Sequence, residues 1–304
     1  MKNVRPDHAH PIVVLDPGHY GDRYNRGAAP GCYESDRMWI LAQLQAEQMR
    51  RIGIEVILTR TKQNQDKGLI VRGRMAKGAD IFESLHSNAC DTPSVDRPVG
   101  IYLVDDGCGP IDEQSKAFAS LMAKSVRDCM DTDDPASITC RKSNNDRDGD
   151  GKRNDDYYGV LYGAHQVGTA AIIMEHSFHT NPRMAEWMMS ADNLKRLALA
   201  KTAAYAEWFG IPMEVIASVP AAEKEADVAG QYRVTAVRLN IRDGAGTQHA
   251  VLIDVPEDTI LRSYGYYTRV DGIRWLYVRL KHGGITYTGF CSEKYLEKVV
   301  TSIV

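Results

Sequence analysis

Short, uninterrupted apolar runs alternate with amphipathic segments over the first two-thirds of the chain. The apolar residues 12–15 predict a strand covered on both faces, because such a strand needs no polar alternation. Further apolar runs predict strands at residues 55–60, 80–86, 100–104 and 170–175. Helical spacing of apolar residues marks the segments 34–53, 72–77, 118–129 and 182–209, whereas 131–156 is polar and predicts a long loop. This alternation predicts an α/β domain with a mostly parallel, mixed sheet flanked by helices.

The pattern changes towards the C-terminus. Short β-rich runs lie at 232–237, 239–242, 251–255, 259–267, 275–281 and 285–291, with glycine-containing turns between most of them. Such spacing predicts a small all-β barrel. We therefore predict an α/β domain at 10–213, a linker rich in Ala, Glu and Lys at 214–229, and a β-domain at 230–304.

Composition narrows the possible partners. The 304 residues are 43% hydrophobic and 25% charged, and the net charge of −3 argues against nucleic acid as the main partner. No run approaches the roughly 18 apolar residues of a membrane span, so no membrane partner is expected. The six cysteines are scattered and do not form a thiolate zinc motif. The polar N-terminus lacks a signal-peptide pattern, which favours synthesis in the cytoplasm.

Candidate chemistry lies where predicted strands end. His19, His86 and Glu175 each stand at a strand end, and Glu34 stands at a helix start. In open α/β sheets ligands bind beyond the carboxyl ends of strands. Two histidines and a carboxylate can hold zinc and leave a position open for water. Of the two glutamates, Glu175 on a rigid strand is better placed as general base, which predicts hydrolysis of an amide; the alternative is that each histidine is structural.

These residues also carry a family resemblance. The segments 15–19, 58–60, 84–89 and 175–182, together with Glu34, resemble the successive motifs of zinc-dependent N-acetylmuramoyl-L-alanine amidases, over residues 12–209. The resemblance implies a zinc amidase/exopeptidase-like fold and one catalytic Zn²⁺ on His19, Glu34 and His86, with Glu175 as the catalytic carboxylate. The bond cut would join N-acetylmuramic acid to L-alanine in bacterial peptidoglycan. Further candidates for substrate binding are Asn88 and Arg72.

The sequence departs from the family pattern near the catalytic glutamate. Ser177 replaces a usual glycine, as does Tyr20 after the first motif, and His176 and His179 occupy variable or apolar positions. None of these changes removes a proposed ligand or the base. Whether His176 or His179 assists catalysis stays open, with packing or solvent exposure as the alternative.

The C-terminal region resembles a bacterial SH3-like domain. Residues 234–242 followed by Gly244 match the first motif of that family, and 275–278 match a later one. The resemblance implies a cell-wall-binding module, with Tyr266 and Trp275 as candidate contacts. The alternative is that Trp275, like Tyr232 and Tyr277, belongs to the barrel core, whereas Tyr266 and Tyr267 are expected to be exposed.

A last motif concerns calcium. Asp146, Asp148 and Asp150, followed by Gly151, have the spacing of a calcium loop. The twelfth position is Tyr157 instead of a bidentate glutamate, so we interpret the segment as a solvated loop near the active site and do not expect Ca²⁺ on these aspartates.

Together these features indicate a cell-wall hydrolase. A catalytic domain joined to a wall binder, without a signal peptide, indicates a phage endolysin that reaches the wall after holin-mediated release. A host autolysin or a spore-lysis enzyme is an alternative origin. Alternatives in function are a zinc peptidase that cuts within the stem peptide and a wall-binding protein with an inactive catalytic domain. Host species, peptidoglycan chemotype and oligomeric state are not encoded in any pattern that we recognise.

Overall fold

The computed structural model describes residues 2–104, 109–217 and 220–299. The chain divides into two compact units, 1–211 and 212–304. Within the described ranges, no helix combines the length and the apolar character that crossing a membrane requires.

A six-stranded sheet forms the centre of the first unit. Its strands are β1 (Ile12–Pro17), β2 (Glu55–Leu58), β3 (Ile81–Asn88), β4 (Val99–Tyr102), β5 (Ser137–Thr139) and β6 (Ala170–Phe178). They lie in the order β2-β1-β3-β6-β4-β5. The first four in this order are parallel, while β4 runs antiparallel to β6 and parallel to β5. The predicted mostly parallel, mixed sheet is confirmed, and β5 is a short strand within the segment predicted as a loop.

Helices cover both faces of this sheet. They are α1 (Glu34–Arg51), α2 (Leu69–Arg74), α3 (Pro110–Met130), α4 (Gly159–His165), α5 (Pro182–Met189) and α6 (Ala191–Phe209). The helix predicted over 182–209 is two helices, because Ser190 adopts an extended conformation and its hydroxyl caps α6 at the Asn193 amide. Helix α4 was not predicted; its glycines lower helix propensity, yet they allow close packing, since a Cβ on Gly163 would lie 2.3 Å from the Ile70 carbonyl oxygen of α2.

The core explains why the first strand is apolar on both faces. Val13 and Leu15 pack in a cluster with residues of α1, α3 and α6, including Phe118 and Tyr205. Val14, between them in sequence, points to the opposite face and packs with residues of α4. Alternate residues of β1 therefore enter two separate hydrophobic layers.

The second unit is a mainly antiparallel sheet. Its strands are β7 (Glu214–Ile216), β8 (Glu223–Val234), β9 (Arg238–Arg242), β10 (Val251–Pro256), β11 (Ile260–Val270), β12 (Ile273–His282), β13 (Ile285–Ser292) and β14 (Leu296–Val299). The order is β10-β9-β13-β12-β11-β8-β14, with β7 parallel to β13. An all-β second unit is confirmed, whereas closure into an SH3-like barrel stays a prediction.

Strands occupy part of the segment predicted as a linker. Residues 214–216 form β7, and β8 begins at Glu223, where Glu223 and Lys224 pair with Tyr267 and Tyr266 of β11. The polar composition of this stretch suggested a linker, but it also suits a strand whose side chains face solvent, and residues 223–227 are exposed. Residues 218 and 219 lie outside the described residues. The domain limits 10–213, 214–229 and 230–304 stay a prediction.

Candidate metal and catalytic site

The predicted ligands converge at one edge of the sheet. His19 follows β1, His86 and Glu175 are cross-strand neighbours on β3 and β6, and Glu34 is the first residue of α1. The Glu34 carboxylate lies 3.1 Å from His19 Nε2 through one oxygen and 3.0 Å from His86 Nδ1 through the other. One donor atom from each of these three residues lies within 4.8 Å of the other two.

Backbone geometry makes this convergence possible. His19 has a φ of +57°, in the left-handed region, so the chain turns sharply after β1. A Cβ on Gly18 would lie 2.4 Å from the Leu85 carbonyl oxygen and 2.6 Å from His86 Cε1. Gly18 therefore leaves the space that the His86 imidazole occupies.

Hydrogen bonds fix the orientation of Glu34. The Asn25 amide donates to Glu34 Oε2 at 2.7 Å and lies 2.9 Å from His19 Nε2, and the Ser87 backbone N–H donates to Glu34 Oε1 at 2.9 Å. Burial opposes ionisation of Glu34, but the hydrogen bonds with His19 and His86 outweigh it and hold the pKa of Glu34 well below its usual range. Glu34 is therefore a fixed carboxylate between two imidazoles.

This donor set fits the zinc ion that the family resemblance implies. Two imidazole nitrogens and one carboxylate oxygen are ligands that zinc accepts in catalytic sites, where a fourth position stays open. His19 and His86 are both only partly buried, so a small molecule can approach the cluster from solvent.

Glu175 has the environment of a proton-transfer group. Its Oε2 atom is buried and has no hydrogen-bond partner among the described residues. Burial raises the pKa of Glu175 to about 7, while the charge of His86 partly opposes this rise. A carboxyl group whose pKa lies near neutrality can both accept and return a proton at physiological pH.

Sequence reasoning missed a buried polar network behind Glu175. Lys201 Nζ on α6 lies 2.7 Å from Glu83 Oε1 and 2.6 Å from His176 Nε2, and all three residues are fully buried. Because the ammonium donates to Nε2, His176 carries its proton on Nδ1, which donates to the His86 carbonyl oxygen at 2.8 Å. Burial and the Lys201 charge hold the pKa of His176 well below its usual range, so it stays neutral.

His179 is also buried and lies near Glu34. Its Nδ1 donates to the Ser87 carbonyl oxygen at 2.9 Å and lies 4.0 Å from Glu34 Oε2. These contacts give His176 and His179 packing and positioning roles, and participation of either in catalysis stays a prediction. Of the two alternatives to catalysis, solvent exposure is wrong, since His176 is 0% and His179 4% exposed.

A second buried carboxylate anchors the end of β1. Asp16 is fully buried and accepts hydrogen bonds from Thr59 at 2.6 Å, Ser84 at 2.7 Å and Arg72 through two nitrogens at 2.7 Å each. Arg60 donates to the carbonyl oxygens of the next two residues at 3.1 and 3.2 Å. A single strand-end aspartate with an apolar run before it gave no signal of these partners in the sequence.

The remaining candidate residues occupy different environments. Arg72 is 6% exposed and its guanidinium is held by Asp16, although it also lines a small pocket beside His19. Asn88 ends β3 and is partly exposed, with its side-chain oxygen bonded to the Ala89 amide. Substrate binding by Asn88 and Arg72 stays a prediction, and the contacts of Arg72 give it a positioning role at β1.

The aromatic candidates in the second unit separate by exposure. Trp275 is 8% exposed and packs in a cluster with Phe290, so the core alternative describes it better than an exposed wall contact. Tyr266 is 39% exposed, as expected, but the expected exposure of Tyr267 is wrong, because it is 1% exposed. Residues of β11 alternate between the two faces of the sheet, so two adjacent tyrosines cannot both face solvent.

Two histidines and two carboxylates at one edge of an α/β sheet fit a class of protein, the hydrolases that use a catalytic metal. Comparison with known families makes this specific: the profile of the N-acetylmuramoyl-L-alanine amidase family matches residues 13–206, more than half of the chain. The chain belongs to this family.

Individual relatives agree with this assignment. N-acetylmuramoyl-L-alanine amidase AmiC of Neisseria meningitidis serogroup B is 32% identical over 99 residues, which are 31% of this chain and 23% of that protein. The matched part thus spans about a quarter of the curated relative.

Solved structures show the same fold at lower identity. The catalytic domain of CwlV, an amidase from Bacillus (Paenibacillus) polymyxa var. colistinus, is 20% identical with a TM-score of 0.53, and the match covers 66% of this chain and 99% of that one. Cwp6 from Clostridium difficile is 24% identical with a TM-score of 0.55, covering 66% of this chain and 29% of that one.

Proposed function

We propose that the first unit hydrolyses the amide between N-acetylmuramic acid and L-alanine in peptidoglycan. The observation that carries the proposal is the convergence of His19, Glu34 and His86 beside a buried Glu175 oxygen that has no hydrogen-bond partner in the described part of the chain, which belongs to this family. Peptidoglycan is accordingly the proposed substrate.

The mechanism follows from the positions of these side chains. His19, Glu34 and His86 would hold zinc, which when bound activates water and polarises the amide carbonyl. Glu175 accepts a proton from the attacking water and donates it to the leaving amine nitrogen of L-alanine. Its elevated pKa suits both steps, because neither protonation state is strongly favoured near pH 7.

The test is a digest of purified peptidoglycan, read by mass spectrometry. We expect new L-alanine amino termini from the wild-type chain, none after treatment with a chelator, and restored release after zinc is added back. Glu175→Gln should retain zinc but lose at least about a hundredfold in rate, the lower end of the range for general acid–base catalysis. New amino termini elsewhere in the stem peptide would instead identify the zinc peptidase, and wall binding without any product would identify an inactive catalytic domain.

We further propose that the second unit binds the cell wall. An exposed row on β11 supports this: Tyr264 is 48% and Tyr266 39% exposed, Arg262 stacks on the Tyr264 ring at 5.2 Å, and Lys224 lies 4.5 Å from the centroid of Tyr266. Aromatic faces with neighbouring cations can contact sugar rings and anionic wall groups together.

Substitution in the full chain tests this second proposal. The double variant Tyr264→Ala/Tyr266→Ala should sediment less with intact walls and hydrolyse soluble muropeptide at the wild-type rate. Tyr295→Ala, which removes a tyrosine that is 49% exposed elsewhere in the unit, is the matched control. Equal wall binding by the double variant and the wild type would contradict the proposal.

The route to the wall is a separate proposal. We expect the chain to act as a phage endolysin, so that cells expressing it lyse only when a holin is co-expressed. Lysis without a holin would instead indicate an exported autolysin.

A further inference from the structure

The loop between β5 and α4 brings three carboxylates together. Carboxylate atoms of Asp146, Asp148 and Asp155 lie within 4.8 Å of one another. The calcium-loop spacing in the sequence pointed to Asp150 as the third ligand, and the structure replaces it with Asp155. We propose that this loop binds a divalent cation of the calcium type through Asp146, Asp148 and Asp155.

The buried member of the cluster points to a missing partner. Asp155 is 2% exposed, and its Oδ1 atom is buried without a hydrogen-bond partner among the described residues. Its other oxygen accepts a hydrogen bond from the Arg147 backbone N–H at 2.6 Å. A buried carboxylate oxygen is costly when nothing compensates its charge, and a bound cation would compensate it.

No side-chain cation of the described residues neutralises the cluster. Within the described ranges, none of the three carboxylates forms a salt bridge. The Arg147 guanidinium lies instead over the Tyr162 ring at 4.8 Å and donates to the Asp156 carbonyl oxygen at 2.8 Å. Three like charges at this separation repel one another, so the arrangement favours a cation among them.

Asp150 is occupied by other partners. One of its oxygens accepts from the Lys152 backbone N–H at 2.7 Å, and the other lies 3.1 Å from Lys152 Nζ. It is therefore a matched control within the same loop. Tyr157 argued against calcium only for a loop counted from Asp146. In a loop counted from Asn144, Asp155 supplies a carboxylate at the twelfth position.

The donor chemistry selects the class of ion. The ligands are all carboxylate oxygens, which suit hard cations, whereas zinc prefers nitrogen and sulfur. Asp146 and Asp148 are exposed, so water can complete the shell of six to eight oxygens that calcium accepts in flexible geometry. The ligand set shares no residue with His19, Glu34 and His86.

Cation binding would order the loop against α4. The Tyr162 hydroxyl on α4 donates to the Arg147 carbonyl oxygen at 2.8 Å, and Ser143 N–H donates to the Asp155 carbonyl oxygen at 2.7 Å. Asp155 thus joins the exposed tip of the loop to its anchored base. The exposed Lys152 and Arg153 lie between the ligands and report on this ordering, because trypsin cuts after both.

The experiment uses the zinc-loaded full chain, titrated with calcium chloride in a calorimeter. We expect one saturable site in the wild type, binding weaker by at least about tenfold in Asp148→Asn and Asp155→Asn, and binding within about twofold of wild type in Asp150→Asn. Calcium should slow tryptic cleavage after Lys152 and Arg153 in the wild type and in Asp150→Asn, and not in Asp148→Asn. Because Asp148 is exposed, its variant keeps the test valid if Asp155→Asn fails to fold.

Several results would overturn the proposal. One is the absence of saturable binding at calcium concentrations up to about 10 mM, beyond the weakest extracellular calcium modules. Another is wild-type affinity in Asp148→Asn, or a loss in Asp150→Asn as large as in Asp155→Asn. Magnesium that binds as tightly as calcium would overturn the choice of ion.

Discussion

A fully buried ion pair supports the strand that carries Glu175, and replacing Lys201 with methionine tests its contribution. The Lys201 ammonium contacts Glu83 at 2.7 Å and His176 at 2.6 Å. Glu83 Oε2 also accepts hydrogen bonds from the Tyr205 hydroxyl at 2.8 Å and from the Gln45 amide at 3.1 Å. The substitution keeps the length and volume of the side chain but leaves the Glu83 carboxylate without a cation.

The expected loss follows from the environment of Glu83. Breaking a buried pair by removing one partner costs about 3–5 kcal/mol, because an uncompensated charge stays buried. Two neutral donors remain on Glu83, so we expect a loss of about 3 kcal/mol in the free energy of unfolding. The double variant Lys201→Met/Glu83→Gln removes both charges and should be more stable than the sum of the single effects predicts, by about 1–2 kcal/mol.

Urea denaturation followed by tryptophan fluorescence measures this loss. Three of the four tryptophans lie in the first unit and Trp275 lies in the second, so the fluorescence reports mainly on unfolding of the first unit. The control is Lys195→Met on the same helix, whose exposed pair with Asp192 at 3.1 Å should contribute less than about 0.5 kcal/mol. A Lys201→Met variant within about 1 kcal/mol of wild type, or additive effects in the double variant, would refute the reasoning.

Three further predictions concern the site itself. Gly18→Ala should weaken zinc binding about 10–100-fold in a chelator competition, because its methyl would overlap the His86 ring; unchanged affinity would contradict this. Ser177→Ala should lower the free energy of unfolding by about 1–3 kcal/mol, since the Ser177 hydroxyl donates to buried Asp96 at 3.0 Å. Ser177→Gly should lower it less, because φ at this position is +80° and glycine adopts such a φ without strain. Thermal denaturation that finds Ser177→Gly the less stable variant would contradict this prediction. In zinc-free protein, folding raises the pKa of Glu175 from an ordinary value of 4.5 to about 7. The free energy of unfolding of the wild type, relative to that of Glu175→Gln, should therefore fall by about 3 kcal/mol as the pH rises from 4.5 to 7 and stay level at higher pH. A difference in urea midpoints that does not change with pH would exclude this effect.

The ligand positions were predictable because strand ends are readable in a sequence. An apolar run that stops at Pro17 and Gly18 places His19 at a sheet edge, and the same logic applies to His86 and Glu175. Parallel strands deliver their carboxyl ends to one edge, so distance along the chain becomes proximity in the fold. Glu34 was found for a different reason, since acidic residues are favoured in the first turn of a helix.

Partners that meet only through tertiary packing were not predictable. Lys201 lies on a helix whose spacing predicted only an apolar face, and nothing local indicates that Glu83 lies opposite it. Asp155 was overlooked because the twelve-residue calcium loop was counted from Asp146. Counted from Asn144, the loop has Gly149 at its sixth position and Asp155 at its twelfth. For Tyr266 and Tyr267, the sequence indicated a strand, in which adjacent side chains point to opposite faces. It did not indicate which of the two tyrosines faces solvent.

The contacts of Asp16 explain why separated motifs act as one unit. Thr59 follows β2, Ser84 lies on β3 and Arg72 on α2, yet all three donate to the same carboxylate. Asp16 precedes His19 by only three residues, and the intervening carbonyl oxygens of Pro17 and Gly18 accept hydrogen bonds from Arg60.

The direction of the His19 imidazole therefore depends on side chains from β3, from α2 and from the residues that follow β2. Because the Asp16 carboxylate is fully buried, losing Arg72 would leave its charge without compensation at the point where the chain turns towards the metal ligands. Losing Thr59 or Ser84 would leave a carboxylate oxygen with one hydrogen bond fewer. Thr59, Ser84 and Arg72 do not contact the proposed metal ligands, and they thus act on the site through the backbone between Asp16 and His19. A proposed metal ligand in the left-handed conformation, at a φ of +57°, needs such support, since its own backbone energy favours another conformation.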